Sequence, residues 1–368
     1  MSRIGKVLLK FNSRYDTNEK KPLRDGLSAV LQIDQTLWLA NDETLSLESL
    51  VLKGQAADGG YVYEDHQQFS LHELLDLAAP PKSPQKFEEA DIEGLAYDDK
   101  GDYLWLITSH SLKRKQPELN KDKGENIERL SDVSNDGNRY LLARIPVVKE
   151  DGTLKLVRQT PGSQRTAAQL RGGQSWSALT KVLKRDEHLG DFFAIPGKDN
   201  GFDIEGLALT GKRLFIGLRG PVLRGWAVIL EIQPQEDEDD PHTLKLTKFG
   251  EDCRLYRKHF LQLDGLGIRD LCMEGDDLLI LAGPTMDLDG PVTVSRWVNA
   301  VQTKGDSVVF REGLSKVLDV PFGKRGDHAE GMTLFSSGDG AEPQLLLVYD
   351  TPLGRGEAGS VVADLFDR

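Results

Sequence analysis

The chain has 368 residues, 39% hydrophobic and 29% charged, with a formal net charge of −13 and a sequence pI of about 5.1. That balance provides for a full apolar core and excludes disorder at large, while the negative field disfavours nucleic acid, whose phosphates need a basic surface. No apolar run is long enough to cross a membrane and the start, Met1-Ser2-Arg3-Ile4-Gly5-Lys6, lacks the apolar core of a signal peptide, so the expectation is a cytoplasmic protein with no membrane and no nucleic-acid partner.

Lys6 to Phe11 reads as a short strand with no partner nearby in sequence. The hairpin Leu23 to Ala40 follows, then strands Leu45 to Leu52 and Gly60 to Tyr63. A second set of four strands is expected at Asp91 to Tyr97, Tyr103 to Ile107, Arg139 to Val147 and Thr153 to Val157. A third is expected at Phe202 to Leu209, Arg213 to Leu218, Trp226 to Ile232 and Thr243 to Leu246. The fourth comprises Ile268 to Met273, Leu278 to Ala282, Val292 to Val298 and Ser307 to Phe310. The fifth has only Glu330 to Phe335, Gln344 to Tyr349 and Gly359 to Phe366. Thr166 to Leu189 is the one long stretch without strand character and reads as a short helical insertion. Cys253 and Cys272 stand in no disulfide, metal or redox spacing and read as core thiols.

The sets share an opening. Asp203-Ile204-Glu205-Gly206-Leu207 nearly repeats Asp91-Ile92-Glu93-Gly94-Leu95, and looser copies occur at Leu23-Arg24-Asp25-Gly26-Leu27, Gly267-Ile268-Arg269-Asp270-Leu271 and His328-Ala329-Glu330-Gly331-Met332. In register, Asp25, Glu93, Glu205, Arg269 and Glu330 are equivalent, as are Leu23, Asp91, Asp203, Gly267 and His328 two residues earlier. Strand side chains alternate with period two, so both sets point to one face.

Repeated four-stranded sheets are the plan of an all-β propeller in a single domain, with the orphan strand Lys6 to Phe11 completing the last blade. Five blades account for the strands. A degenerate sixth fits in the gap from Asp91 to Asp203, nearly twice that from Asp25 to Asp91. The long loops, among them Ser109 to Asn138, share the face on which the acids open, and long loops on a rigid scaffold are where function resides.

Four carboxylates and one arginine converging on an axis cannot all stay ionised and unpaired, since two charges about 4 Å apart repel by about 4 kcal/mol at an effective dielectric near 20. Neutralisation by a hard cation with oxygen ligands is expected, calcium before magnesium, with Asp25, Asp91, Glu93, Asp203, Glu205 and Glu330 as the candidate metal set. Acceptance of backbone hydrogen bonds from the next blade is the structural alternative. Residues that break the repeat are the catalytic candidates: His328, Arg269, His110 and Arg219, with His328 as acid or base. Lys113-Arg114-Lys115, Lys324-Arg325 and Arg355 are basic residues at the rim, suited to an anionic ligand.

The repeated Asp-Ile-Glu-Gly-Leu, the Gly-Leu-Ser-Ala-Val after Asp25 and the Ala-Glu-Gly-Met near the end resemble a bacterial family known as domain of unknown function 3616, over most of the chain. More distantly, the Asp-x-Glu-Gly opening is similar to that of esterase-like phytases and related calcium-binding propeller hydrolases. That resemblance implies metal-dependent ester or phosphoester hydrolysis and carries over only Asp91, Glu93, Asp203, Glu205 and Glu330. The expected function is thus a calcium-dependent hydrolase of a small anionic ester or phosphoester. A scaffold that holds a protein partner on its long loops is the alternative.

Overall fold

The computed structural model describes residues 3–16, 22–83, 86–286, 288–322, 328–338, 340, 342–350, 354–356 and 359–368. The architecture is all-β, with short helices confined to connections, and no helix among the described residues is long and apolar enough to cross a membrane. Among the described residues the strands order into five antiparallel four-stranded meanders. The first orders Leu27–Ile33, Thr36–Asn41, Ser46–Gln55 and Tyr61–Ser70. The second orders Ile92–Asp98, Tyr103–Thr108, Leu142–Glu150 and Ala168–Leu170. The third runs Asp203–Thr210, Arg213–Gly220, Trp226–Ile232 and Tyr256–Gln262, and the fourth Gly267–Glu274, Asp277–Gly283, Val292–Trp297 and Leu314–Val320. The fifth has His328–Phe335, Gln344–Asp350 and Ser360–Phe366, and takes its outer strand, Arg3–Lys10, from the start of the chain.

The first strands of the meanders neighbour one another in sequence order and the last returns to the first, which gives a propeller-like ring. The second strands explain the packing. Tyr103–Thr108 is buried throughout, as a strand covered on both faces must be, and its side chains divide by parity. Leu104 and Leu106 join a cluster with Trp38 and Leu47 of the first meander, whereas Trp105 and Ile107 join one with Leu207 and Leu214 of the third. The same alternation, Phe215 against Leu214 and Leu279 against Leu278, carries the core around the ring in separate inter-sheet layers.

Three outer strands correct the sequence reading. Thr153–Leu156 only forms a hairpin with the end of Leu142–Glu150, and the outer place of the second meander goes to Ala168–Leu170, inside the stretch expected to be helical. Asp240–Leu246 and Ser307–Val309 are not fourth strands of their own meanders: each crosses to the preceding one and pairs parallel, with Ala168–Leu170 and Tyr256–Gln262. Arg3–Lys10 pairs parallel with Tyr61–Ser70 in the same way, so a strand from elsewhere covers the outer edge of three meanders. Within Thr166 to Leu189 only Ala178–Leu183 is helical, with Ser177 and Thr180 forming a reciprocal cap, and the short turns Gly190–Ala194 and Gly197–Asp199 come after that stretch. Cys253 is exposed and Cys272 half-buried, so neither is a fully buried core thiol.

Candidate functional site

In every first strand the pairing with its second strand slips by one residue, between Leu27 and Ala29, Ile92 and Gly94, Ile204 and Gly206, Ile268 and Asp270, and Ala329 and Gly331. The residue left over in each β-bulge is Ser28, Glu93, Glu205, Arg269 or Glu330, and a bulge re-aims the side chain it carries. The first copy of the repeat is therefore three residues out of the sequence register. Ser28 holds the position assigned to Asp25, and its hydroxyl donates to the Ile92 carbonyl of the next first strand at 2.5 Å. Asp25 ends a 3-10 turn, with its side chain 44% exposed and 3.3 Å from Arg24, so it takes no part in the ring.

The glycine after the acid has a packing reason. A Cβ on Gly94 would stand 2.7 Å from that of Leu207, and one on Gly331 would stand 3.0 Å from the backbone of Ala29. Only a bare Cα lets neighbouring first strands approach this closely. Asp270 replaces glycine in the fourth copy, and its buried carboxylate accepts from the Met332 amide at 2.7 Å, the cross-ring staple weighed as a structural role for the glutamates.

Arginines neutralise much of the acidic ring. Arg269 reaches Glu330 at 2.6 Å and Glu205 at 3.2 Å, and its second nitrogen donates to the Pro284 carbonyl. Arg219 donates to Glu205 at 2.6 Å and to the Thr285 carbonyl at 2.9 Å. Arg139 holds Asp91 at 2.8 Å and Glu89 at 3.0 Å. The three guanidiniums, Asp91 and Glu205 are almost wholly buried and Glu89 and Glu330 largely so, where a charge persists only with a partner.

Above them lies a cavity of about 610 Å³, a size suited to a small ligand, walled by Asp42, Asp91, Glu93, Asp203, Glu205, Arg219, Glu330 and Asp350. Lys198 and the basic loop Lys113-Arg114-Lys115 also line it. That loop is tied across the mouth by Arg114 to Asp199 at 2.7 Å and by the Gly197 amide to the Leu112 carbonyl. Beyond it stands the helix Lys123–Ser131, capped by Asp122, with Ile127 and Leu130 exposed.

Glu93 differs from Glu205 and Glu330, the acids at the equivalent position of the repeat. It is 8% exposed, lines the cavity, and has no hydrogen bond or ion pair among the described residues. Burial and then Asp91, Glu205, Glu330 and Asp42 push its carboxyl well above the ordinary range. Asp42 is raised likewise, by burial and then by Asp350, Asp91, Glu330 and Glu43, and its Oδ1 is buried without a partner. Asp203 and Glu330 are each pushed up to about 7 by burial, with Glu205 adding repulsion and Arg219 and Arg269 respectively opposing it.

The proposed catalytic set separates. Arg219 lines the cavity, whereas Arg269 lies beneath the wall as a brace between Glu205 and Glu330. His110 is buried beside Tyr140 with Nδ1 on the Thr108 carbonyl at 2.8 Å, and burial lowers its pKa to about 4, so it is a neutral core histidine off the cavity wall. His328 is also off the wall: it pairs across the hairpin with Asp350, and its ring stands 3.9 Å from Asp289. Arg355 pairs with Asp364 and covers Tyr349 away from the mouth. Lys324 and Arg325 lie outside the described residues.

Sequence reasoning missed Asp42, Asp350, Arg139 and Lys198. A signal existed for the first two: Asp42, Ser109, Arg219, Gly283 and Asp350 each stand one residue past the second-strand partner of the residue before the bulge. Arg139 and Lys198 come from unrepeated loops that carry no such signal. As for a metal, no group of three or more His, Cys, Asp or Glu among the described residues is placed to hold one. Asp91, Glu205 and Glu330 spend oxygens on arginine, so the candidate set does not fit calcium as arranged.

Among solved structures the chain is similar to a glucose dehydrogenase, with 16% identity and a TM-score of 0.34 over 94% of this chain and 82% of that one. A putative 6-phosphogluconolactonase from Bacteroides uniformis gives 11% identity and 0.31 over 92% and 70%. The Malassezia sympodialis allergen Mala s 1 gives 11% and 0.33 over 93% and 78%. Scores this low carry no weight for activity, and no curated protein matches the chain. A family model does match it, across residues 26–364, and the chain belongs to that family, Protein of unknown function (DUF3616).

Proposed function

We propose that the chain is a five-bladed β-propeller whose axial cavity hydrolyses a small anionic ester or phosphoester by carboxyl acid–base chemistry. The observation that carries this reading is Glu93, a buried carboxyl without a partner, in one cavity with the fixed cation Arg219. Glu93 is the proton donor and Asp203, pushed up to about 7, is the proton acceptor in place of His328. Water adds to the carbonyl carbon or phosphorus and gives a proton to Asp203. The bond to the alcohol oxygen breaks and that oxygen takes the Glu93 proton, leaving acid and alcohol. Arg219 and Lys198 supply positive charge for the substrate anion.

The test is turnover of a panel of lactones, carboxylic esters and phosphoesters, run in chelator and again with millimolar calcium. Hydrolysis that persists in chelator and falls by about 10²- to 10⁴-fold in a folded Glu93→Gln variant supports the reading. Turnover seen only with calcium reinstates a metal centre, and no turnover with any substrate removes the hydrolase. A second reading, a scaffold for a protein partner, is favoured by the exposed Leu119, Ile127, Leu130 and Val133 on the segment over the mouth. It predicts no turnover with any substrate of the panel, and a chain whose thermal stability is unchanged when these four residues are replaced by serine.

A further inference from the structure

The cavity wall is divided by its counter-charges. Glu205 and Glu330 share Arg269, Glu205 also holds Arg219, and Asp91 holds Arg139. Around Asp42 and Glu93 the order is reversed. Neither carboxyl touches a cation among the described residues, and the groups facing them are again acids: Asp91, Glu205 and Glu330 around Glu93, and Asp350, Asp91, Glu330 and Glu43 around Asp42. Lys198 lines the same cavity and makes no ion pair with Asp42 or any other acid among the described residues.

We propose that Asp42 and Glu93 form a subsite for the ammonium group of the ligand, so that the substrate class narrows to small zwitterionic esters whose anionic group meets Lys198 and Arg219. Two features support it. Glu93 is 8% exposed, lines the cavity and has no partner among the described residues, and Asp42, on the same wall, keeps its Oδ1 without a partner, so both carboxyls have unmet acceptor capacity beside the ligand space. Carboxyls crowded by acids are held neutral until a cation arrives, and an ammonium with three donors can pair with Asp42 as the carboxylate and with the carbonyl oxygen of protonated Glu93 at once. An organic cation is preferred to a metal because no three of the described acids are placed together as ligands. The proposal rests on the axial cavity being the substrate site, and its test uses binding alone, so that it can fail separately from the hydrolase reading.

Calorimetric titration of the full chain with ethylammonium, inorganic phosphate, O-phosphoethanolamine and calcium chloride decides it. The zwitterion is expected to bind at least about ten-fold more tightly than either single ion, a difference of about 1.4 kcal/mol. Asp42→Asn, away from the proposed proton transfer, should remove that advantage while phosphate binding is retained. Phosphate binding as tightly as the zwitterion, or calcium binding more tightly than both and competing with it, overturns the ammonium subsite. Zwitterion binding with no ester turnover leaves the subsite standing and removes the hydrolase.

Discussion

The two sides of the central cavity hold the same kind of side chain in opposite electrical circumstances. On one side, Glu205 and Glu330 are stitched by Arg269 and Arg219 into a buried ion network, and removing one member unbalances the charges it held. On the other, Asp42 and Glu93 sit among acids and rely on protonation or on a visitor. Acids at equivalent positions of a repeat thus serve different ends. Those with arginines hold the sheets together, and those without are free to act.

The largest way to break this comparison is Glu205→Ala, which strands Arg219 in the protein interior and leaves Arg269 with Glu330 alone. Loss of one partner from such a buried pair is expected to destabilise by about 3–5 kcal/mol, read from urea unfolding. An effect below about 1 kcal/mol would mean that the network is not structural.

A smaller effect concerns pH. Asp203 and Glu330, raised to about 7, bind protons in the folded state that ordinary carboxyls near 4 have already released when unfolded. Their contribution is full below about pH 4 and is lost as pH rises through about 7, so stability should fall between pH 6.5 and 8 by on the order of 1–2 kcal/mol. His110, lowered to about 4, has the opposite sign but loses its contribution below pH 6.5, outside that window. Asp203→Asn should flatten the slope in thermal melts, and a slope unchanged by the substitution assigns it to other groups.

The smallest expected effect is Glu93→Gln. Removing an unpaired buried acid should leave stability within about 1 kcal/mol of the parent or raise it, in contrast to Glu205. A loss of several kcal/mol would place Glu93 with the braces and erase the distinction between the two sides.

How far the sequence reached follows the same physics. First strands were legible because their close approach demands glycine after the bulged acid, as Gly94 against Leu207 and Gly331 against Ala29 illustrate. Asp25-Gly26-Leu27 imitated that motif by chance of spelling, while the bulge fell at Ser28, whose hydroxyl needs no acidic signature. Outer strands were legible only in part. The closing strand Arg3–Lys10 was found as an orphan beside a gap, but Asp240–Leu246 and Ser307–Val309 have ordinary strand sequences that do not say which sheet they join. The arginine partners were half hidden: Arg269 and Arg219 stood in the repeat, but Arg139 comes from a loop whose path only the folded chain defines.

The measurement closest to the central claim is a carbon-13 NMR titration of the glutamate side-chain carboxyls, with the Glu93 signal assigned by its loss in Glu93→Gln. The account predicts a Glu93 carboxyl that stays protonated well above the ordinary carboxylate range, with metal stripped and no ligand present. A Glu93 signal that titrates near pH 4 would contradict it, since the carboxyl would then be charged and paired by something this account does not contain.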